Sequence, residues 1–279
     1  MFERPLVMGI LNVTPDSFSD SGYFLSHDDA LRKAERMIAD GADILDIGGE
    51  STRPGSISVS IDMELDRIIP LIDALKSFNI PLSIDTYKPE IMRAAIDSGG
   101  DMINDIWGFR HPGAIDAVRN NNTGLCVMHM LGEPRTMQIS IPVYHDIVSD
   151  VRNFLSGRVD TLISEGIRPE RICVDPGFGF GKTAVKDNYN MLAALPEVAP
   201  YRYDNRPYPV LVGISRKTML GAIIGGKKPP EKRVAASISA ALCAVERGAA
   251  IIRVHDVGAT VDALNIWLEV RNATKYRYI

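Results

Sequence analysis

The length, composition and charge of the chain exclude several classes of protein before any motif is considered. Its 279 residues are 46% hydrophobic and 24% charged, which is typical of a globular chain with enough apolar material for one core. A net charge of -4 argues against a nucleic-acid scanner, since such proteins need a basic face that neutralises phosphates. Any anion site must therefore be local.

No segment of the sequence predicts export or insertion into a membrane. We find no charged and apolar leader, and no apolar run approaches the roughly 18 residues that span a bilayer. The three cysteines, Cys126, Cys173 and Cys243, are odd in number, far apart and set in apolar segments. This spacing favours reduced thiols in the core over a disulfide framework or a zinc site. We therefore expect a cytoplasmic protein.

Short apolar runs alternate with helical patterns along the whole chain. Apolar residues three and four positions apart predict amphipathic helices at 65–75 and 257–268, and a further helix is predicted at 234–247. The apolar runs predict eight strands, at 6–11, 44–47, 82–84, 102–103, 125–128, 172–174, 210–212 and 251–254.

This alternation predicts the fold. Strands that are short and almost wholly apolar are typical of parallel strands covered by helices. Eight such repeats in about 250 residues favour a closed (β/α)8 barrel over an open doubly wound sheet. We therefore predict an α/β protein with one barrel domain over residues 1–279, in which the loops after the first and second strands are long.

Each predicted strand leads into polar residues, which a barrel would bring to one mouth because the loops after its strands gather at the same end. A single Asp at a strand end more often caps a helix or forms a turn than it forms a site. Eight coincident polar ends are harder to explain in that way. The residues concerned are Asn12, Glu50, Thr52, Arg53, Asp85, Thr86, Asn104, Asp105, His129, Asp175, Ser215, Lys217, Arg253 and His255.

Part of this set suits a polyanion. Arg253 and His255 are two positions apart, so they project from the same face if their run is a strand. For this run alone, a surface Arg and a capping His explain the pattern equally well. With Arg53 and the amide oxygen of Asn12, the pair predicts a pyrophosphate held with Mg²⁺, which takes few protein ligands and completes its shell with water and phosphate.

The remainder suits a flat polar heterocycle. Asp85 and Asp175 offer acceptor oxygens, while Asn104 offers both a donor and an acceptor and Lys217 a cationic donor. A guanine-like edge, with neighbouring amino and ring N–H groups, pairs with one carboxylate through two parallel bonds. We see no nucleophile paired with a base in the sequence.

Five blocks of the sequence, in order and spread over nearly the whole chain, resemble the signature blocks of the bacterial dihydropteroate synthase family. They read MGILNVTPDSFSD at 8–20, GGESTRPG at 48–55, DPGFGFGK at 175–182, SRK at 215–217 and RVHDV at 253–257. The resemblance implies a (β/α)8 barrel that joins 6-hydroxymethyl-7,8-dihydropterin diphosphate to p-aminobenzoate in folate biosynthesis and releases pyrophosphate. It also implies inhibition by sulfonamides, which mimic the aminobenzoate.

The resemblance further implies roles for individual residues. Asn12 would be the Mg²⁺ ligand, and the catalytic residues would be Asp85, Lys217, Arg253 and His255. The pterin diphosphate would be bound by Thr52, Arg53, Asp85, Asn104, Met128, Asp175, Lys217, Arg253 and His255. The aminobenzoate would be bound by Thr52, Pro54, Phe180, Ser215 and Lys217. A homodimer through outer helices near strands six to eight is also implied, although the sequence shows no exposed apolar stripe that demands one.

Two other functions stay open beside the synthase. A barrel methyltransferase that serves a corrinoid protein would keep the Asp and Asn groups for the pterin but has no use for a diphosphate cluster or Mg²⁺. A catalytically silent pterin-binding relative would be expected to lose one of the residues Asn12, Arg53, Lys217 and His255, and all four are present. Function is argued from these site residues because the barrel fold serves many chemistries.

Overall fold

The computed structural model describes residues 4–13, 27–51, 58–132, 143–226 and 228–273. Within them, eight parallel strands form one sheet in the order β6-β5-β4-β3-β2-β1-β8-β7. The strands are β1 (Leu6–Asn12), β2 (Ile44–Gly48), β3 (Leu82–Asp85), β4 (Met102–Asp105), β5 (Gly124–Met128), β6 (Ile172–Asp175), β7 (Leu211–Val212) and β8 (Ile251–Val254).

A parallel bridge between Val174 and Val210 joins the two ends of this sheet and closes it into a barrel. The backbone N–H of Val174 also donates to the carbonyl of Pro209 at 2.9 Å. The predicted (β/α)8 barrel is thereby confirmed, and each predicted strand boundary lies within two residues of the observed one. The predicted long loops after β1 and β2 lie largely at 14–26 and 52–57, outside the residues that the structure describes.

Helices follow the strands and cover the outside of the barrel. Among them, α2 begins where Ser60 accepts a hydrogen bond from the N–H of Met63, and it buries Ile68, Ile72 and Leu75 as its spacing predicts. The helices are α1 (His27–Ala39), α2 (Ile61–Leu75), α3 (Pro89–Asp97), α4 (Ala114–Val118), α5 (Ile147–Ser164), α6 (Lys186–Ala193), α7 (Leu195–Val198), α8 (Thr218–Ile223), α9 (Val234–Glu246) and α10 (Val257–Ala273). None of these described helices is long and apolar enough to cross a membrane.

The core has two parts, because successive side chains of a strand point to opposite faces. Outward-facing residues of the strands pack against the helices in one large cluster. Inside the barrel, a smaller apolar cluster lies near the start of the strands. This inner cluster consists of Met8, Ile44, Cys126, Cys173, Leu211 and Ile251, with Leu6, Met102 and Ala250 packed against it.

The inner cluster determines where the polar side chains of the barrel lie. On each strand, the residue two positions after a member of the cluster, or after a residue packed against it, also faces the barrel interior. Those next residues are polar in four strands and form a second layer above the apolar one. The pairs are Ile44 with Asp46, Met102 with Asn104, Cys173 with Asp175 and Ile251 with Arg253.

The cysteines follow the predicted pattern only in part. Cys126 and Cys173 are buried free thiols that face each other in register across β5 and β6. Cys243, in contrast, is exposed on α9, so the prediction of a core thiol is wrong there. The neighbouring Ala240, Ala241, Ala244 and Val245 occupy the buried face of α9 and leave Cys243 on the outer face.

Candidate active site

The candidate site lies at the ends of the strands and is organised around one guanidinium. Arg253 on β8 donates through Nε to Oδ2 of Asp46 at 2.5 Å and through Nη2 to Oδ2 of Asp85 at 2.8 Å. Asn104 donates through Nδ2 to the same Oδ2 of Asp46 at 3.1 Å. Asp46 is fully buried and Asp85 is 5% exposed, so these ion pairs lie in a medium of low polarity. Residues from β2, β3, β4 and β8 thus meet in one charged network.

Three acceptor atoms in this network have no hydrogen-bond partner among the described residues. They are Oδ1 of Asp46, Oδ1 of Asp85 and Oδ1 of Asn104, and all three are buried. Leaving a buried acceptor unsatisfied costs about 1–3 kcal/mol, so folded proteins rarely keep several together. A ligand that presents N–H donors would remove this cost. The site is therefore suited to a flat, donor-rich heterocycle.

The pKa values of both Asp85 and Arg253 are raised, with opposite effects on the charge of the two groups. Burial raises the pKa of Asp85 to about 7, and the attraction of Arg253 only partly opposes this effect. Burial would lower the pKa of Arg253, but Asp46 and Asp85 outweigh it and keep that pKa above its ordinary value. Arg253 consequently stays charged, while Asp85 changes its charge near neutral pH.

A second group of residues lies on the side of β6 and β7. Asp175 is buried and accepts a hydrogen bond through Oδ1 from the N–H of Gly177 at 2.7 Å. Lys217 donates through Nζ to the carbonyl of Phe178 at 2.5 Å, and its Nζ lies 4.7 Å from the centre of the Phe180 ring. Burial lowers the pKa of Lys217 to about 8, and Asp175 opposes the shift.

Ser215 and His255 lie in direct contact, which the sequence did not reveal. Oγ of Ser215 accepts from the backbone N–H of His255 at 3.2 Å and lies 3.0 Å from Nδ1 of the same residue. Between Ser215 and Lys217, Arg216 adopts a left-handed backbone with φ 60°. Its guanidinium turns to Asp256, with Nε 2.9 Å from Oδ2. This ion pair fastens the end of β7 to the end of β8.

Apolar side chains form one wall of the mouth. Met128 packs with Ile106 and Met130 in a small buried cluster, against which Tyr87, Trp107 and Phe180 lie. The ring of Trp107 stacks on Tyr87 with a distance of 5.8 Å between the ring centres. Trp107 is half-buried, so it fills volume at the edge of this wall. Such a wall suits the faces of an aromatic ligand.

Asn12 ends β1 at the opposite side of the mouth. A Cβ atom built on Gly48 would lie 3.1 Å from Oδ1 of Asn12, so the glycine leaves room for this amide. Within the described ranges, no group of three or more His, Cys, Asp or Glu residues could hold a metal ion. Thr52, Arg53 and Pro54 lie outside the described residues, and their predicted roles stay predictions.

The chain matches a known family over most of its length. The pterin-binding enzyme family matches residues 8–255. The chain belongs to this family. It is 46% identical over 270 residues to the dihydropteroate synthase of Haemophilus influenzae, a match that covers 96% of this chain and 95% of the relative. It is 44% identical over 264 residues to the dihydropteroate synthase of Escherichia coli, which covers 94% of this chain and 90% of that one.

Solved structures of the family agree with the fold. The crystal structure of Burkholderia cenocepacia dihydropteroate synthase complexed with 7,8-dihydropteroate is 66% identical and has a TM-score of 0.92. That similarity covers 99% of this chain and 95% of the other. A Xanthomonas albilineans dihydropteroate synthase with 4-aminobenzoic acid is 47% identical, has a TM-score of 0.87 and covers 96% and 93% of the two chains. The resemblance to the dihydropteroate synthase family is thereby confirmed.

Two residues with polar strand-end positions have structural roles instead. Asp105 accepts hydrogen bonds from the backbone N–H groups of Trp107 and Phe109, both at 2.7 Å, so it forms a turn. His129 is buried and contacts Nζ of Lys182 at 2.9 Å. Asp105 therefore forms a turn, which is the more common role of a single Asp at a strand end.

Asp46 is the main residue that the sequence analysis missed. It lies inside the apolar run of β2, whereas most of the predicted site residues follow the strands or end them. A single Asp between Leu45 and Ile47 is itself a signal, because an ionised group is almost never buried without a partner.

A buried network at the base of the β2–α2 loop is also not apparent from the sequence. Nζ of Lys88 lies 2.7 Å from Oε2 of Glu50 and 2.6 Å from Oε2 of Glu64. It also donates to the carbonyl of Val59 at 2.7 Å. Glu50 and Val59 flank the segment 52–57, so one lysine ties both sides of that segment to α2 and to the end of β3. The acidic partner in α2 could not be assigned from spacing.

Replacement of Arg253 by Lys tests the central network. A single ammonium cannot match the planar fork that bridges Asp46 and Asp85, so one buried carboxylate loses its partner. We expect Arg253→Lys to lower the free energy of unfolding by about 3 kcal/mol and to weaken pterin binding. His255→Asn should cost less than about 1 kcal/mol because it alters the hydrogen bond to Ser215 and leaves no buried carboxylate without its cation. Urea unfolding and calorimetric titration with a pterin measure both; equal effects of the two variants would contradict the central role of Arg253.

Proposed function

We propose that the chain is a dihydropteroate synthase, a transferase that condenses 6-hydroxymethyl-7,8-dihydropterin diphosphate with p-aminobenzoate in folate biosynthesis. One observation carries this function: buried oxygens of Asp46, Asp85 and Asn104 have no hydrogen-bond donor among the described residues. They lie at the mouth of a barrel that belongs to the pterin-binding family. The amino and ring N–H groups along one edge of a pterin are such donors. Sequence relatives with 42–46% identity are dihydropteroate synthases.

The pterin occupies the half of the mouth between β2 and β6. Asp85, Asn104 and Asp175 accept from its N–H groups, and Lys217 donates to its carbonyl oxygen. Met128 packs against one face of the ring system, and the guanidinium of Arg253 lies beside the other polar groups. This assignment uses two of the three unsatisfied oxygens, those of Asp85 and Asn104, as acceptors and places the cations around the remaining edge of the ligand.

The reaction breaks the C–O bond between the exocyclic methylene of the pterin and the diphosphate, whose oxygen keeps the electron pair. The lone pair of the arylamine forms the new C–N bond, and the nitrogen then loses a proton. Asp85 stabilises the positive charge that spreads over the pterin ring, while Arg253, His255 and Arg53 stabilise the leaving diphosphate. An aniline nitrogen is neutral at pH 7 and attacks without a general base. The Ser215–His255 contact therefore orients the imidazole in this mechanism and does not supply a nucleophile.

The aminobenzoate lies on the side of β6 and β7, between Phe180 and Ser215. Oγ of Ser215 accepts from the backbone N–H of His255, and when Nδ1 of His255 also donates to Oγ, the O–H of Ser215 can donate to the aminobenzoate carboxylate. The predicted partners Thr52 and Pro54 complete this half. A sulfonamide binds in the same place and competes with the aminobenzoate. A Yersinia pestis dihydropteroate synthase that is 44% identical has been solved in a complex with a sulfonamide drug, and its TM-score is 0.89.

Mg²⁺ is the proposed metal, with Asn12 as its protein ligand. The residues fit this ion, since a single amide oxygen beside the space over Gly48 matches the habit of Mg²⁺ of using few protein ligands. When bound, the ion neutralises charge on the diphosphate. The chain itself contributes the side chains of Arg253 and His255 to the same group.

A homodimer is the proposed assembly, with a second copy of the chain as the partner. An apolar groove runs over α6, α8 and α9, on the side of β6 to β8 where the family resemblance places the dimer. Ile223 lines this groove and is 59% exposed. A large exposed apolar side chain beside an apolar groove is typical of a surface that a partner covers. Residues that line the groove are Tyr189, Leu192, Leu220, Ile223, Ala240 and Cys243.

We also propose that the protein works in the cytoplasm. The thiols of Cys126 and Cys173 face each other in register and are free, which suits a reducing compartment. Cell fractionation tests this location, and recovery of the protein outside the cytoplasm would contradict it.

The corrinoid methyltransferase and the silent relative are not favoured, because the matched relatives are synthases and Lys217 and His255 are kept.

A coupled assay for pyrophosphate release tests the proposed activity. We expect release from the wild type only when both substrates and Mg²⁺ are present, and a sulfonamide should raise the apparent KM for p-aminobenzoate alone. Lys217→Ala should lower kcat/KM by about a hundredfold because it removes a buried cation from the site. Lys186→Ala, which changes an exposed lysine at the start of α6, serves as the control. Absence of aminobenzoate-dependent release from the wild type would disprove the function.

The rate should depend on pH in a way that follows from two shifted groups. Below its pKa of about 7, Asp85 takes up a proton and stops acting as a double acceptor; above its pKa of about 8, Lys217 loses its charge. We expect kcat/KM for the pterin diphosphate to be highest between these two values and to fall on both sides. In Lys217→Arg the alkaline fall should disappear, since a guanidinium stays charged. A flat profile from about pH 6 to about pH 9 would contradict these assignments.

The dimer is tested by adding a charge to the groove. Ile223→Glu places a carboxylate within the apolar surface and should convert the dimer into monomers at micromolar concentration. Ile266→Glu, at an exposed position of α10 outside the groove, is the matched control and should leave the dimer intact. Sedimentation equilibrium measures the mass of both variants and of the wild type. A monomeric wild type, or a dimeric Ile223→Glu variant, rules out this interface.

A further inference from the structure

A buried lysine lies beneath the turn that follows β6 and has no part in the proposed reaction. Lys182 is only 1% exposed, which is rare for a lysine. Its Nζ donates to the carbonyls of Gly177 at 2.9 Å and Phe180 at 3.0 Å and contacts Nδ1 of His129 at 2.9 Å. Three partners match the three N–H bonds of an ammonium group. The lysine thus ties the turn to the end of β5.

The same turn is held from the other side by a lysine of the site. Lys217 donates to the carbonyl of Phe178 and lies over the ring of Phe180. The carbonyls of the turn are therefore divided between two lysines: those of Gly177 and Phe180 point inward to Lys182, and that of Phe178 points to Lys217. A shift of the turn would move the Phe180 ring and the ammonium of Lys217 together.

The backbone of the turn needs such support because it is rich in glycine. Gly177, Gly179 and Gly181 have φ values of 70°, 80° and 61°, which glycine adopts readily but does not fix. The turn also packs very closely on β5, since a Cβ atom on Gly177 would lie 1.9 Å from the carbonyl oxygen of His129. Side chains must therefore supply the rigidity that the sequence of the turn lacks.

Burial shifts the titration of both Lys182 and its partner His129, and Lys182 carries its full charge only below its pKa of about 7. Burial, with Lys182 as the next contributor, lowers the pKa of His129 to about 2, so the imidazole is neutral and can accept through Nδ1. Burial also lowers the pKa of Lys182 to about 7, and the carboxylate of Asp175 opposes that shift. The carboxylate that begins the turn and the lysine that ends it thus attract each other.

We propose that Lys182 is a positioning residue for the aminobenzoate half of the site. It holds the turn so that Phe180 forms the wall of the aminobenzoate slot and Phe178 fixes the ammonium of Lys217. Lys182 touches neither substrate and acts through these residues. This inference rests on the proposed synthase function and adds a residue to it that no strand-end position revealed.

The variant Lys182→Met keeps the apolar stem and removes the ammonium. We expect the KM for p-aminobenzoate to rise about tenfold, the size of one lost hydrogen bond to a charged group. The KM for the pterin diphosphate should rise less, by about threefold or under, because Asp85, Asn104 and Arg253 do not depend on the turn and only Lys217 and Asp175 link the pterin to it. The dissociation constant of a sulfonamide should rise by the same factor as the KM for aminobenzoate. Lys186→Met, the same change at an exposed position, should leave all three constants as in the wild type.

The outcomes separate this inference from the function on which it rests. A wild type without aminobenzoate-dependent pyrophosphate release rejects the synthase, whereas an active wild type with an unchanged or equally raised pair of KM values in Lys182→Met rejects the positioning role. If Lys182→Met does not fold, His129→Leu decides, since it removes one of the three partners of Nζ. It should raise the KM for aminobenzoate about threefold and that for the pterin diphosphate by a smaller factor, and an unchanged or equally raised pair of KM values overturns the inference.

Discussion

The ion pairs of Arg253 with Asp46 and Asp85 are the constraint on which the rest of the site depends. Burying three charges inside a barrel is expensive, and the cost is offset only when the geometry is good and the remaining oxygens find partners. Here one guanidinium serves two carboxylates, and Oδ1 of each carboxylate has no partner among the described residues. These oxygens can accept hydrogen bonds from a ligand with N–H donors, which would complete the network.

Inside the barrel, the residues that stabilise the fold and the residues that form the site lie two positions apart on the same strands. The inner apolar cluster fills the start of the strands, and the polar layer directly above it comes from the next inward-facing positions. Asp46 and Asp175 are therefore held by strands that are themselves fixed by Ile44 and Cys173. Side chains placed on strands are positioned more rigidly than side chains on loops, which explains how the network can remain buried and still be aimed at a ligand.

The sequence predicts the elements well and the contacts between them poorly. Eight apolar runs gave eight strands because parallel barrel strands are buried on both faces, which leaves a strong local signal. Asp46 was missed because its meaning comes from Arg253, 207 residues away. Lys182 and His129 are 53 residues apart, and Ser215 and His255 are 40 apart, so no local pattern reveals either contact. Cys243 was misplaced because an apolar helix does not show which of its faces is covered.

The closure of the barrel has a mechanical consequence for the two halves of the mouth. β1 and β2 are paired over five positions, whereas β7 has two residues and meets β6 through the bridge at Val174 and Val210. The seam with the shortest ladder thus runs between Asp175 and the segment that carries Lys217. Widening the barrel there breaks fewer hydrogen bonds than widening it on the pterin side. On that side the backbone ladder contributes little to holding the mouth in shape, so the side-chain ties from Lys182 and Lys217 to the turn after β6 carry more of that task than on the pterin side.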